Sequence, residues 1–291
     1  MTPTKIVSYS ELDSYRQCRL KHELAYRQRW TTEKVSPALS RGKLFHEVLA
    51  LHYQRIKDGM LPAGIVQEIQ SSPLLSDPET GESTEEQDLV AWVYDGYVRK
   101  YAELDSSLWT IEAVEHRIEE WLPTERGTRS TFKLKGTVDL IVRDRQLMDG
   151  LWVVDHKTCR DLPRGKDLDF DDQAAVYTYL LRRRGLDIRG VIFNHCRTQK
   201  LVRPMTDDER FRRSITVRTD AELETMALEV LNTFREAYRP RLDNGLPPRS
   251  PDPDRCGWRC PFTEPCLGGR KGIEIERLLE DHGFEIDEKR H

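Results

Sequence analysis

A chain of 291 residues with 37% apolar content is long enough for one large domain or two small ones around a buried core. A formal net charge of -4, with 33% of residues charged, excludes a globally basic nucleic-acid coat, so any contact with nucleic acid has to come from local patches. No stretch approaches the apolar run of about 18 residues needed to span a membrane, and MTPTKIVSYSELDSYRQC has no signal-peptide core, so a cytoplasmic location without membrane contact is expected.

In chain order, residues 8–30 predict a first helix, with Ser10 and Asp13 placed as in a capping box and Leu12, Tyr15, Cys18 and His22 near one face. Residues 39–59 predict a second helix, with Leu44, Val48, Leu51 and Tyr53 in helical register, His46 in its first turns and Gly59 as its stop. From about residue 60 to 107 a Pro-, Ser- and Asp-rich stretch followed by EEQDLVAWVYDGYVRKYAEL reads as a helical insertion. WTIEAVEHRIEEWL and TFKLKGTVDLIVRD then read as two adjacent strands, the second alternating Phe132, Leu134, Gly136, Val138, Leu140 and Val142 against mostly polar neighbours.

LWVVDHKT is a nearly continuous apolar run that ends in charge, the pattern of a strand buried on both faces that exits at a functional site. DFDDQAAVYTYLLRRRG is a helix with an acidic start, arginines in its last turn and Gly185 at the stop. RGVIFNHCRT reads as a further strand, residues 220–242 as an amphipathic helix, and GLPPRSPDPD as a linker. Residues 273–291 read as a terminal helix with a frayed tail. Strands alternating with helices make the fold class α/β, with domains at 1–240 and 241–291.

Period-two geometry puts Asp155 and Lys157 on one face of their strand and His156 on the other, and the short RDRQLMDG turn lets an antiparallel neighbour bring Asp139 beside them. Phosphodiester hydrolysis needs carboxylates that hold hard cations and a positive group for charge developing at phosphorus, and Asp, Asp and Lys supply both. His46 would add a nitrogen ligand, which favours manganese. Glu112 and Glu115, on the strand before, are carboxylates of the solvated kind and stay outside this set. Cys256, Cys260 and Cys266 crowd into CGWRCPFTEPC, one thiolate short of a four-sulfur site, while Cys159 and Cys196 read as small buried hydrophobes.

GKLFH, GTVDLIV, VVDHKT and QAAVY, in that order, resemble the motifs of the PD-(D/E)xK nuclease superfamily, and in particular its RecB-like branch. The resemblance implies a restriction-endonuclease-like core, a mixed sheet flanked by helices. It makes His46, Asp139 and Asp155 metal ligands for magnesium or manganese, the carbonyl of His156 a further ligand, and Lys157 the catalytic lysine. Gln173 and Tyr177 match the QxxxY element that faces the site or the DNA, and Asp155 stands where many relatives carry Glu. The resemblance extends to iron–sulfur members such as CRISPR-associated exonucleases and the AddB nuclease domain, and so implies that Cys18 joins Cys256, Cys260 and Cys266 around a [4Fe-4S] cluster, the C-terminal segment packing on the N-terminal helix. Here CxxxC replaces the commoner CxxC, and four thiolates also suit zinc.

Two basic groups are candidate phosphate contacts: Arg16, Arg19, Lys21, Arg27 and Arg29 on the first helix, and Arg182, Arg183 and Arg184 at the end of the QxxxY helix. The expectation is a DNA exonuclease that prefers single strands or free ends, with protein partners of a recombination or CRISPR pathway. A non-catalytic DNA-binding or assembly subunit and a zinc-stabilised endonuclease are the alternatives.

Overall fold

The computed structural model describes residues 4–33, 37–77, 79–163, 168, 171–240, 245–258 and 260–288. The chain begins with β1 (Lys5–Ser8), α1 (Tyr9–Gln17), α2 (Arg19–His22), a π-helical turn (Glu23–Arg27) and β2 (Trp30–Thr32). Helices α3 (Pro37–Lys57), α4 (Pro62–Gln70) and α5 (Glu85–Leu108) follow, then the strands β3 (Trp109–Pro123), β4 (Arg129–Asp144) and β5 (Leu151–Cys159). Next come α6 (Asp172–Arg183), β6 (Ile188–Arg197), α7 (Asp207–Arg210), β7 (Phe211–Thr216) and α8 (Asp220–Ala237). The end of the chain holds α9 (Pro253–Trp258), α10 (Thr263–Arg270), α11 (Ile275–Asp281) and β8 (Phe284–Ile286). Among the described residues no helix is long and apolar enough to cross a membrane.

Two compact units form: Pro37–Glu120 with Gly136–Ala227, here the central unit, and Met1–Ser36 with Trp121–Lys135 and Leu228–His291, the terminal unit. In the central unit the strands lie in the order β4-β5-β6-β7, with β3 also paired to β4. β4 and β5 are antiparallel, β5 and β6 parallel, and β6 and β7 antiparallel, so the sheet is mixed and the fold is the expected α/β arrangement. The parallel pair needs a long crossover, and α6 supplies it. β5 is buried from Leu151 to His156, which explains its unbroken apolar text.

The core of the central unit joins Phe45, Val48, Leu49 and Tyr53 of α3 to Tyr94 and Tyr97 of α5 and to Leu140, Val154 and Ile192 of the sheet. Each such side chain contributes about 1.5–3 kcal/mol by leaving water. The stretch after residue 60 is thus helical as expected, and α5 is also an integral core element. Its start is set by a capping box between Thr84 and Gln87. Gly59 and Gly185 sit at positive φ (84° and 83°) just past α3 and α6, where a left-handed residue ends a helix.

His52, fully buried on α3, has its Nδ1 at 3.0 Å from the Tyr94 hydroxyl, and burial pushes its imidazole down to about 4. The unfolded chain protonates this group near pH 6.5, so stability is fully present above that value and is lost as pH falls toward 4. His52→Phe should therefore flatten the stability–pH curve in this window by about 1.4 kcal/mol per pH unit, as urea titrations at pH 7 and 5 would read. An unchanged slope would mean that His52 titrates normally.

In the terminal unit the first helix differs from its sequence pattern. Ser8, not Ser10, is the N-cap, its hydroxyl accepting from the Glu11 amide at 3.2 Å, because the chain enters the helix directly from β1. The helix also breaks at Cys18, whose extended backbone (φ -160°, ψ 116°) separates α1 from α2. Leu20, Leu24 and Trp30 pack with Phe262, Leu279 and Phe284. The expected tail is partly ordered: after α11 and Gly283, β8 pairs antiparallel with β2, Thr32 opposite Phe284. β1 runs parallel to the first part of β4, Val7 opposite Leu134. Asp169 and Phe170, read as part of the acidic helix start, residues 241 and 242 of the α8 stretch, and tail residues 289–291 lie outside the described residues.

Candidate functional site

The exit of β5 gathers chemistry because alternation sends Asp155 and Lys157 to one face, where the Lys157 ammonium lies 2.8 Å from Asp155 Oδ2. The β4–β5 register, Leu140 opposite Val154, carries Asp139 to the level of Asp155. The His156 amide donates to Asp139 Oδ2 at 2.7 Å. α3 comes close to β5 at Gly42, where an added Cβ would sit 3.3 Å from Thr158 Oγ1, and one turn later it delivers His46 Nδ1 to 3.2 Å from Asp139 Oδ1. α6, capped by the Asp171 carboxylate, presents Gln173, whose Oε1 accepts from Lys157. Gln173 Nε2 in turn donates to the Tyr177 hydroxyl at 2.7 Å. Gly136 leaves the space that the Tyr177 ring takes, since a Cβ there would lie 3.0 Å from it.

The electrostatics follow from burial and pairing. Burial pushes the Asp155 carboxyl up to about 6 against the pull of Lys157, with Asp139 adding repulsion. Burial also pushes Asp139 up, but the hydrogen bond and charge of His46, with His156, outweigh it and leave this carboxyl below its ordinary value. His46 responds in kind: burial lowers it, and Asp139 and Asp155 together raise it above the usual imidazole. Lys157 is lowered by burial and raised more by the Asp155 carboxylate, so it stays charged. Asp139 and Asp155 repel each other, and a cation held between them would offset that repulsion.

One residue of the site was passed over in the sequence. Glu115 has a carboxylate oxygen that lies, with one ligand atom each of His46 and Asp139, within a mutual distance of 4.8 Å. Glu115 has a positive φ of 48°, and the buried positions of β3 change phase across it, from Trp109 and Ile111 to Ile118 and Leu122. That is the signature of an extra residue in a strand, a bulge that re-aims a side chain. The signal was present in the odd spacing between Ile111 and Ile118. Burial raises the Glu115 carboxyl, and the Asp139 charge adds to it.

On the opposite face of β5, the His156 ring stacks on Tyr53 at 5.6 Å and its Nδ1 lies 2.8 Å from Asn194 Nδ2. Asn194 also donates to the Tyr97 hydroxyl at 2.9 Å, and Arg213 donates to that hydroxyl at 3.0 Å and to both oxygens of buried Asp105 at 2.5 and 2.7 Å. A buried polar network thus holds the strand from behind.

The four cysteines grouped by resemblance, Cys18, Cys256, Cys260 and Cys266, line one cavity of about 250 Å³ in the terminal unit. The break between α1 and α2 falls at Cys18, whose backbone is extended. Cys159 and Cys196 stand apart in the central unit, Cys159 Sγ 3.6 Å from the Cys196 carbonyl and Cys196 fully buried, in keeping with core packing. Of the basic groups, Arg19 pairs with Glu236 at 2.6 Å and Arg182 with Asp220 at 2.6 Å, so part of each is neutralised.

Comparison with known proteins bears on this geometry. Comparison with curated proteins finds no match. Among solved structures, a protein from Eubacterium rectale assigned provisionally as an exonuclease is similar at 15% identity, covering 93% of this chain and 91% of its own, with a TM-score of 0.46. A protein named SSO0001 is similar at 14% identity, covering 90% and 86%, with a TM-score of 0.39. The family model for the PD-(D/E)XK nuclease superfamily matches residues 6–267, nearly the whole chain. The chain belongs to the PD-(D/E)XK nuclease superfamily.

Proposed function

We propose that this nuclease is a divalent-cation-dependent deoxyribonuclease of the RecB-like iron–sulfur branch that degrades DNA from an end and prefers single strands. The observation that carries the reading is the convergence of His46, Asp139, Asp155 and Lys157 from α3, β4 and β5 at one strand exit. His46, Asp139, Asp155 and the His156 carbonyl would hold magnesium or manganese, and we add Glu115 on the strength of its distance to His46 and Asp139. Such a cation polarises a phosphoryl oxygen and lowers the pKa of an attacking water. Lys157 presents its ammonium to the charge that grows at phosphorus, held in place by Asp155 and Gln173. Tyr177 fixes the Gln173 amide, so both residues of the QxxxY element act by orienting Lys157. Glu115→Gln should weaken manganese binding about tenfold by titration calorimetry of the full chain. Unchanged affinity would return Glu115 to the solvated carboxylates.

In the terminal unit Cys18, Cys256, Cys260 and Cys266 hold a [4Fe-4S] cluster, on this reading. That all four cysteines line one cavity supports a single shared occupant, in which each thiolate would bind its own iron. Protein partners belong, by resemblance, to a recombination or CRISPR-type complex.

The decisive experiment follows linear and circular single-stranded DNA with magnesium and with manganese, using anaerobically purified protein. Loss of the linear form alone is expected. Cutting of circles, or degradation that survives Asp155→Ala, overturns the exonuclease reading. The same preparation should be coloured and contain iron, and Cys18→Ala should remove the chromophore, whereas a colourless zinc protein would overturn the cluster.

A further inference from the structure

The register of the central sheet sets three nitrogen-bearing side chains in one row. Lys157 of β5 lies opposite His195 of β6, and His195 lies opposite Arg212 of β7. Directly paired residues share a face of a sheet, so this is the face that carries Asp155 and Lys157. The ring of His195 contacts that of Phe193, two residues earlier on the same face and opposite Asp155, with centroids 5.8 Å apart. Neighbouring strands are ~4.8 Å apart, so the row runs about 10 Å from the Lys157 position. That length lets the row reach from the phosphate at Lys157 toward a neighbouring one on the same strand.

The chemistry of the row matches a phosphate backbone. His195 is 6% exposed, and its Nδ1 has no hydrogen-bond partner among the described residues. A buried imidazole nitrogen without a partner is destabilising, and an oxygen ligand would relieve it. Burial, with Lys157 and Arg212 nearby, lowers the imidazole to about 4, so it is neutral at pH 7 and acts as a hydrogen-bond donor rather than a charge. Arg212 is exposed, donates to the Pro163 carbonyl at 3.0 Å and has no carboxylate partner among the described residues. By contrast Arg197, one pair further along the same face, is neutralised by Asp161 at 2.8 Å. The acidic neighbour on this side, Asp171, is engaged in capping α6 through the Gln173 and Ala174 amides at 2.9 and 3.2 Å.

We propose that His195 and Arg212 form a phosphate-binding subsite that extends from Lys157 across β6 and β7 and holds the nucleic-acid backbone next to the bond being cut. The subsite rests on the nuclease reading above and gives it a direction: the strand leaves the cleavage centre across the sheet toward β7.

The test measures binding of a fluorescein-labelled single-stranded oligodeoxynucleotide to the full chain by anisotropy, with calcium in place of magnesium and manganese, over a range of salt. Arg212→Ala should lower the slope of log affinity against log salt by about 0.7 and weaken binding about fivefold at 0.1 M salt, the share of one phosphate contact on a single strand. Arg212→Lys should restore the slope, and Arg189→Ala, at the far end of β6, should leave it unchanged. His195→Ala should weaken binding without changing the slope, because the group is uncharged. A thermal melt checks its fold, and if it unfolds, the Arg212 pair decides alone. Wild-type binding and slope in Arg212→Ala would overturn the subsite while the nuclease reading stands. A parent protein that neither binds nor cuts the oligonucleotide would overturn both.

Discussion

Lys157→Ala is expected to slow DNA cleavage by about a hundred- to a thousandfold while fold and divalent-cation affinity persist. The reason is the geometry around its ammonium. Asp155 at 2.8 Å and the Gln173 amide oxygen hold Lys157 at a fixed place, and the Asp155 carboxylate keeps it charged despite burial. A cation fixed before the reaction acts on charge that appears only in the transition state, so its removal affects turnover and not ground-state binding. Arginine should not substitute, because its planar fork is larger than the pocket between two side chains that accept one compact ammonium. Asp139→Ala should differ in kind. It removes the acceptor of both His46 and the His156 amide, so cation affinity and cleavage fall together. Single-turnover rates with manganese titrations separate the two patterns. A Lys157→Ala protein that cuts within tenfold of the parent would remove Lys157 from the centre.

The site was legible to the extent that it depends on local periodicity. The abrupt end of an apolar strand marked Asp155 and Lys157, and helical spacing put Gln173 and Tyr177 one turn apart. Both features survive in the structure because β5 is buried on both faces and α6 is amphipathic. Glu115 was left out on its residue type. A glutamate on a strand reads as solvated unless something re-aims it, and the bulge at a residue with positive φ does so here.

Longer-range pairings were not legible at all. Nothing in RGVIFNHCRT or FRRSIT says that His195 will face both Lys157 and Arg212, since register between strands distant in sequence is set by the whole sheet. The short strands β1, β2, β7 and β8 escaped for a related reason: three to six residues carry too little periodic text to separate a strand from a loop. The break at Cys18 lay inside a stretch with good helical spacing, because helical text does not record where a backbone must turn to place one side chain. The text between residues 60 and 107 marked helices but not that Tyr94, Tyr97 and Asp105 of α5 would enter the interior.

Asp105 is the most consequential of these. Asp105→Ala should destabilise the protein by about 3–5 kcal/mol in urea unfolding, against about 1 kcal/mol for an ordinary substitution. The carboxylate is fully buried, and both its oxygens accept from Arg213, one of them also from the Tyr53 hydroxyl at 2.6 Å. Removing it leaves a mostly buried guanidinium, its side chain 16% exposed, without its counter-charge, and the cost comes from that orphaned cation more than from the lost pair. Replacing both partners together, as Asp105→Leu with Arg213→Met, should recover much of the loss, because the apolar pair leaves no stranded charge. A single substitution that costs less than 1 kcal/mol would show that the pair is not desolvated as the structure has it. The recovered double variant then isolates a second effect. Arg213 and Asn194 both donate to Tyr97, and Asn194 also meets His156, whose amide binds Asp139. If this chain of contacts fixes the strand behind the site, the double variant should regain stability but bind manganese more weakly than the parent, and stability and cation affinity would part company at one locus.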